Sequence, residues 1–152
     1  MKRRVLIAIM FVLLPAMMLA QEATKTETTT GTLTVVVTGL KSDKGEVRIS
    51  LYNSETTYSN KEAEAFQKLK LPIKDKQAEA VFEKLPFGEY AIKLFHDKNS
   101  NGELDTTLGI PNEDYAFSNN ARATFGPPTY EKAKFEFKAE QLTIEIKIPA
   151  EE

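Results

Sequence analysis

Oxygen-bearing side chains alternate through one short stretch in the middle of the chain, and this pattern could bind a hard cation. The stretch begins at Asp97 and has a glycine, Gly102, at its sixth position. Calcium loops take oxygen ligands from positions one, three, five and nine and a backbone carbonyl from position seven, and they turn sharply at a glycine in position six. The pattern therefore predicts a structural Ca²⁺ site. The residues at its ligand positions are Asp97, Asn99, Asn101, Glu103 and Asp105.

The twelfth position departs from the pattern of the best-known calcium loop. An EF-hand carries a bidentate Glu there, whereas this chain has Leu108. We expect Glu113 to supply the missing ligand, because a glycine and a proline after Leu108 can fold the chain back. Asp, Asn and Gly also dominate turns that hold no metal, so a metal-free turn is the alternative interpretation. With two loop carboxylates, the dissociation constant for Ca²⁺ should be on the order of 10⁻⁴ to 10⁻³ M.

Groups that could perform catalysis are few. His96 is the single histidine and lies on the apolar side of its strand, a placement typical of a hydrogen-bonded core histidine. Zinc is not expected without a second His or any Cys. Ser118 lacks the Gly-x-Ser-x-Gly surroundings of a hydrolase nucleophile, and Glu113 and Asp114 are neighbours in the chain, too close to flank a glycosidic bond. We therefore predict that the protein is not an enzyme.

Strands are expected to position the predicted calcium-binding segment, residues 97–105, which we call the cation loop. One strand runs from about Tyr90 to His96 and leads directly into Asp97. Apolar side chains recur at every second position in six further segments, which is the period of a β-strand. These segments are 33–38, 47–51, 69–73, 78–82, 133–137 and 142–148. The first and second segments are expected to pair as an antiparallel hairpin, and so are the third and fourth.

A short helix and a long loop complete the predicted fold. Ser59 and Glu62 have the spacing of a capping box and predict a helix that continues to about Leu69. Residues 108–130 show no periodicity and are expected to form a long loop of the kind that is usually functional. Seven strands without βαβ units favour an all-β fold, a seven-stranded antiparallel β-sandwich.

The beginning of the chain has the features of a secretory signal peptide. Three basic residues precede the apolar run 5–14, which is shorter than the roughly 20 residues that span a bilayer. Cleavage after Ala20 would leave a linker at 21–30 and a single domain at 31–150, with no membrane insertion afterwards; an uncleaved anchor is the alternative. The predicted location is therefore the periplasm, the cell surface or the extracellular medium.

The cysteine content and the net charge of the chain limit the molecules to which the protein is expected to bind or be attached. The chain contains no cysteine, which excludes a lipid anchor on a cysteine and any disulfide framework. Removal of residues 1–20 takes away three basic residues and shifts the formal net charge from −2 to −5. A mildly acidic exported protein is not expected to bind nucleic acid.

Four separated motifs follow one another over nearly the whole predicted mature chain. They are Leu51-Tyr52, Leu85-Pro86-x-Gly88-x-Tyr90-Ala91, the segment 96–105, and the segment 109–120 with Gly126-Pro127-Pro128. In this order they resemble the bacterial exported family known as domain of unknown function 2141, although Asp114 and Ala116 stand where that family usually has glycine. The resemblance implies a prealbumin-like or immunoglobulin-like β-sandwich and no established activity.

Two functional hypotheses follow. The first is a non-catalytic module whose long loop, fixed by Ca²⁺, packs across the sandwich edge or docks a protein partner. The second is a domain that binds a carbohydrate or another small ligand through aromatic residues of the 108–130 loop. Buried aromatics would favour the first hypothesis, and an exposed aromatic platform would favour the second. The residues concerned are Tyr115, Phe117 and Tyr130, beside Asn119, Asn120 and Arg122.

Overall fold

A computed structural model describes residues 29–60 and 64–149 of the chain. These residues form a mostly β structure with short helices. The predicted signal peptide, its cleavage site and nearly all of the predicted linker lie outside the described residues. No helix in the described part of the chain is long and apolar enough to cross a membrane.

Ten strands and three short helical segments follow one another along the described residues. The strands are β1 (Thr30–Thr38), β2 (Glu46–Tyr52), β3 (Gln67–Pro72), β4 (Ala78–Pro86), β5 (Gly88–Asp97), β6 (Thr106–Thr107), β7 (Ile110–Pro111), β8 (Tyr115–Phe117), β9 (Phe135–Phe137) and β10 (Gln141–Lys147). The helices are α1 (Glu55–Ser59) and α2 (Tyr130–Ala133), and Ser118–Asn120 form a 3-10 turn.

The strands are arranged in three sheets. The largest has the order β3-β2-β5-β8, and β9 also pairs with β5. The second has the order β10-β1-β4, and β6 and β7 form a separate hairpin. All pairings are antiparallel except that of β1 with β10, which is parallel, so the expectation of purely antiparallel sheets is wrong there. The strand number exceeds the predicted seven because β6, β7 and β8 form within or next to the segment predicted to be a loop.

Two predicted strand pairings are wrong. β1 does not pair with β2, because β1 lies between β10 and β4 while β2 lies between β3 and β5. β3 and β4 also belong to different sheets, although a tight turn joins them. In this turn the backbone amides of Lys74 and Gln77 donate to each other's carbonyls at 2.9 and 3.0 Å. A period of two identifies a strand but does not identify its neighbour, so chain proximity was a poor guide to pairing.

The predicted helix after Ser59 is wrong for the described residues. Helix α1 ends at Ser59 and is capped at its other end by Ser54, whose hydroxyl accepts a hydrogen bond from the amide of Thr57 at 3.3 Å. The chain from Gln67 onward forms β3, where Leu69 lies opposite Ile49 of β2. Sheet pairing with buried neighbours therefore outweighs the local capping signal, as tertiary contacts commonly do.

Side chains from the two larger sheets pack into one hydrophobic cluster. Successive residues of β1 and β2 alternate between this cluster and the outer faces of their sheets, and the positions that face the cluster are apolar. The members from these two strands are fully or almost fully buried: Leu33, Val35, Val37, Val47, Ile49 and Leu51. Each such side chain contributes about 1.5–3 kcal/mol by leaving water, so the cluster fixes β2 and β5 rigidly. β5 then carries the chain to the cation loop.

A second, smaller cluster forms where α1 and α2 approach β5. It contains Tyr58, Ala91, Phe117, Tyr130 and Ala133. The alternation of β5 places Ala91 in this cluster and its neighbour Ile92 in the main core. The larger sheet is therefore covered on both faces along β5, and the segment that follows β8 is held against it.

Candidate functional site

The predicted cation loop begins at the buried end of β5. Asp97 lies opposite Glu46 of β2 and is completely buried. Its Oδ2 atom is 3.3 Å from Nε of Arg48, whose Nη2 atom is also 2.7 Å from a carboxylate oxygen of Glu46. The guanidinium therefore neutralises the first residue of the loop from the neighbouring strand.

Backbone amides of the loop close onto Asp97. The amide of Asn101 donates to Oδ1 at 3.1 Å, and the amide of Gly102 donates to Oδ2 at 2.8 Å. Gly102 has φ +89°, and an added Cβ would lie 3.2 Å from Nη2 of Arg48. The left-handed backbone therefore favours glycine at the sixth position, and a larger residue would also crowd the guanidinium.

The two asparagines connect the loop to Asp105. The Oδ1 atoms of Asn99 and Asn101 accept the amides of the residues two positions later, at 3.0 and 2.9 Å, which is the pattern of an Asx-turn. Their Nδ2 atoms donate to the two carboxylate oxygens of Asp105, at 2.6 and 2.9 Å. The structure therefore brings the predicted side chains of Asn99, Asn101 and Asp105 into direct contact, with Asp97 one hydrogen bond away.

Glu113 joins the two ends of the loop. One carboxylate oxygen accepts the amide of Lys98 at 2.8 Å, and the other accepts the amide of Asp105 at 3.2 Å. The neighbouring Asn112 donates its own amide to the carbonyl of Asp105 at 2.8 Å. Glu113 is buried, so the residue predicted as a distal ligand contacts the backbone at both ends of the loop.

Asp114, which was not among the predicted ligands, lies between two lysines. Nζ of Lys41 is 3.1 Å from Oδ1, and Nζ of Lys98 forms an ion pair with Oδ2 at 3.0 Å. Burial, the largest single influence, raises the pKa of Asp114, but the contacts with Lys98 and Lys41 together bring the pKa below its usual value. The carbonyl of Asp114 also accepts the amide of His96 at 2.8 Å. No local pattern could indicate this cluster, because Lys41 lies 73 positions away from Asp114 in the chain.

The carboxylates differ in their charge partners. Asp97 is paired with Arg48, whereas neither Asp105 nor Glu113 forms an ion pair with a basic side chain in the described part of the chain. Both of these carboxylates are bound only by amide N–H groups. Their negative charges are solvated by dipoles and are not neutralised, which is the condition in which an added cation is attracted most strongly.

A cation in this loop would need amide as well as carboxylate ligands. Within residues 29–60 and 64–149 no three His, Cys, Asp or Glu side chains are arranged to hold a metal ion. The oxygen donors of Asn99 and Asn101 would have to complete the set, and a cation would displace the contacts that their Nδ2 atoms make with Asp105. The Glu103 side chain is exposed, so only its backbone carbonyl is expected to contribute.

The twelfth position contributes no ligand. Leu108 is 99% exposed and has φ +52°, and with Gly109 it forms the turn between β6 and β7. A leucine with this backbone conformation is uncommon, because the left-handed region costs roughly 1–2 kcal/mol for a residue with a side chain.

The residues considered for catalysis have structural partners. His96 is buried, and its Nε2 atom is 2.6 Å from the carbonyl oxygen of Lys44, which identifies this nitrogen as the donor. The hydroxyl of Ser118 donates to the carbonyl of Ala133 at 2.5 Å and accepts the amide of Ile92 at 2.9 Å. Neither side chain faces a site where a substrate could approach.

A cavity of about 710 Å³ lies beside the cation loop. It is lined by residues 111–117 and 120–123, together with Gly126, Pro128, Lys147 and Pro149. This volume lies within the range of small-molecule sites in proteins, about 300–1,000 Å³. Residues 112–114 belong both to this wall and to the network that closes the loop.

The predicted aromatic platform is only partly present. Phe117 and Tyr130 are buried, whereas Tyr115 is 39% exposed and lines the cavity. The rings of Tyr115 and Phe117 meet edge to face, with centroids 5.8 Å apart. Asn119 does not line the cavity; its Nδ2 atom donates to the carbonyl of Lys134 at 2.7 Å. Of the predicted set, Tyr115, Phe117, Asn120 and Arg122 therefore line the cavity, and Tyr115 is the aromatic residue with an exposed ring.

Comparison with known proteins identifies a family and no individual relative. No curated protein and no solved structure matches the chain. The family described as an uncharacterized protein conserved in bacteria (DUF2141) matches residues 35–145, which include all of the cation loop and most of the cavity wall. The chain belongs to this bacterial family.

Proposed function

We propose that the chain is an exported, non-catalytic β-sandwich module of the prealbumin-like kind, in which the loop 97–105 binds Ca²⁺ as a structural ion. One observation carries the proposal: four oxygen-bearing side chains meet around a left-handed glycine where a buried strand ends. In this role the ion would hold the loop, and through it the segment 112–114, against the end of β5.

The charges around the loop support Ca²⁺ over a metal-free turn. Within the described residues, the carboxylates of Asp105 and Glu113 accept hydrogen bonds only from amide groups. The backbone amide of Asp105 itself donates to the carboxylate of Glu113 at 3.2 Å. A divalent cation would stabilise both charges at once. Ca²⁺ suits such a site because it accepts a variable number of carboxylate and amide oxygens, while Mg²⁺ demands a tight octahedron and keeps its waters.

Thermal unfolding in EDTA and in millimolar Ca²⁺ tests the proposal. At a hundredfold excess of Ca²⁺ over its dissociation constant, the folded state should gain about 2.7 kcal/mol. Mg²⁺ at the same concentration should give a smaller gain. If the melting temperature is identical in EDTA and Ca²⁺, and calorimetry detects no heat of binding, the loop is a metal-free Asx-rich turn.

Isosteric variants distinguish the carboxylates that bind Ca²⁺ from those that do not. Asp97→Asn should abolish the Ca²⁺-dependent shift in melting temperature, and Asp105→Asn should reduce it. Glu113→Gln should reduce this shift only if Glu113 is the distal ligand. Glu79→Gln is the matched control, because Glu79 is exposed on β4 in the other large sheet. An equal effect of the control would mean that the shift reflects general charge screening.

Export is the second part of the proposal and depends on residues 1–20. The basic and apolar segments at the beginning of the chain support cleavage after Ala20. Mass spectrometry of the protein from the periplasmic and culture fractions should find a chain that begins at or near Gln21. Intact chains with Met1 in the membrane fraction would contradict the cleavage.

A second candidate function is binding of a carbohydrate or another small ligand in the cavity. The observation that favours it is the joint presence of Tyr115, Asn120 and Arg122 in the wall of one cavity. An aromatic face beside a hydrogen-bonding amide and a cation is a common composition of small-molecule sites. Binding of a glycan panel to the folded protein tests this candidate independently of Ca²⁺.

A further inference from the structure

The charged side chains around the cavity indicate whether its ligand should be anionic or cationic. Four charged residues line the cavity, two acidic and two basic: Glu113, Asp114, Arg122 and Lys147. Their formal charges cancel, and the two lysines that contact Asp114 add two positive charges. The four lining residues and these two lysines therefore carry a formal charge of +2 together, although the formal net charge of the whole chain is −2.

The acidic and basic side chains of the wall also differ in availability. Both oxygens of Glu113 accept backbone amides, and both oxygens of Asp114 contact lysines. Arg122 and Lys147 are exposed, and their side chains have no hydrogen-bond or ion-pair partner in the described part of the chain. The acids thus have partners within the protein, while the two cations are free to bind a ligand.

The two cations are held on neighbouring segments. The Oδ1 atom of Asn120 accepts the backbone amide of Lys147 at 2.9 Å, which ties the end of β10 to the segment that carries Arg122. The side-chain amide nitrogen of Asn120 has no protein partner in the described residues and can donate to a ligand. Tyr115 supplies an exposed aromatic ring in the same wall, supported by Phe117.

From these features we infer that the cavity is a binding site for carboxylated sugars, such as uronic acids. The planar guanidinium of Arg122 matches the two oxygens of a carboxylate, and Lys147 adds a second positive charge. Tyr115 can stack on the apolar face of the sugar ring while Asn120 donates to a hydroxyl. This inference rests on the second candidate function, ligand binding in the cavity, and does not require Ca²⁺ in the loop.

Titration calorimetry of the full mature protein with trigalacturonic acid tests the inference, with the neutral galactose trimer as the matched sugar. The acidic trimer should bind at least tenfold more tightly, because only it can pair with the two cations. Added salt should weaken its binding. Galacturonic acid should also bind more tightly than galactose 6-phosphate if the carboxylate, and not negative charge alone, is recognised.

Substitutions locate the site. Arg122→Gln should weaken binding of the acidic trimer about tenfold or more, and Lys147→Gln should weaken it to a smaller extent. Tyr115→Phe should retain binding, whereas Tyr115→Leu should weaken it for acidic and neutral sugars alike. Lys74→Gln is the control, since Lys74 is exposed in the turn between β3 and β4 and does not line the cavity.

The outcomes separate the inference from the candidate function on which it rests. Equal binding of acidic and neutral trimers would overturn the inference and leave carbohydrate binding in place. Binding of the acidic trimer that Arg122→Gln and Lys147→Gln leave unchanged would place the site elsewhere and overturn the inference. An absence of binding by every sugar, with a normal melting temperature of the protein, would overturn both.

Discussion

Replacing Glu113 by Gln is the most informative single change, because this carboxylate is the only side chain that contacts the backbone at both ends of the loop in the described structure. Its two oxygens accept the amides of Lys98 and Asp105 at 2.8 and 3.2 Å. A glutamine has the same size but only one acceptor oxygen. Its NH₂ group must therefore face one of the two backbone amides. Since both groups are donors, no hydrogen bond can form at that end.

The magnitude follows from these two contacts. A hydrogen bond to a charged acceptor contributes about 1.5–3 kcal/mol, and a buried donor left without a partner costs about 1–3 kcal/mol. The variant keeps one contact in weaker, neutral form and loses the other. We therefore expect Glu113→Gln to lower the free energy of unfolding by about 2–3 kcal/mol.

Urea denaturation in EDTA measures this loss without any contribution from a metal ion. Amide hydrogen exchange adds a local measurement, because exchange at Lys98 or Asp105 should accelerate in the variant. Glu103→Gln is the control: its side chain is exposed and without a partner in the described residues, and a change within about 0.5 kcal/mol is expected. A loss below about 0.5 kcal/mol for Glu113→Gln, with unchanged exchange at both amides, would refute the proposed contact of Glu113 with both ends of the loop.

Three further changes test the core, the acidic cluster and the smaller aromatic cluster. Ile92→Ala should cost about 2–5 kcal/mol in urea denaturation, because Ile92 is fully buried between the two large sheets. Because the pKa of Asp114 is lowered in the folded state, its ionised carboxylate should stabilise the fold above about pH 4, and this contribution should be lost as the pH falls through the folded-state pKa. When the free energy of unfolding is measured across acidic pH, Asp114→Asn should remove this part of the pH dependence. Burial, with a smaller contribution from Tyr52, raises the pKa of Tyr58 to about 12. The neutral Tyr58 should therefore stabilise the fold fully below about pH 10, and this contribution should be lost as the pH rises through the folded-state pKa. In an absorbance titration, Tyr58→Phe should remove the tyrosine transition that occurs at the highest pH.

The residues of the cation loop could be predicted from the sequence because their contacts are local. Asn99 and Asn101 contact Asp105 six and four positions away, and Asp97 binds the amide of Gly102 five positions away. Spacing alone determines whether such residues can meet around a turn. The strands could be predicted for a similar reason, since a period of two depends only on neighbouring residues.

The partners of the loop could not be predicted, because they depend on the order of strands in the sheets. Arg48 reaches Asp97 across 49 positions only because β2 lies beside β5. The expected hairpin of β1 with β2 would have placed Arg48 in a different environment. A period of two does not determine the order of strands in a sheet. The sequence alone therefore could not identify Arg48 as the residue that neutralises Asp97.

The segment 112–114 explains why the long connection after the loop is not a simple linker. Asn112 and Glu113 bind the backbone of the loop, and the carbonyl of Asp114 accepts the amide of His96 at the end of β5. The same three residues line the cavity. We therefore expect a change in the loop to move atoms of the cavity wall, and a ligand in the cavity would contact the residues that close the loop. If the loop binds Ca²⁺ and the cavity binds a sugar, linkage requires that each ligand alter the affinity of the other by the same factor.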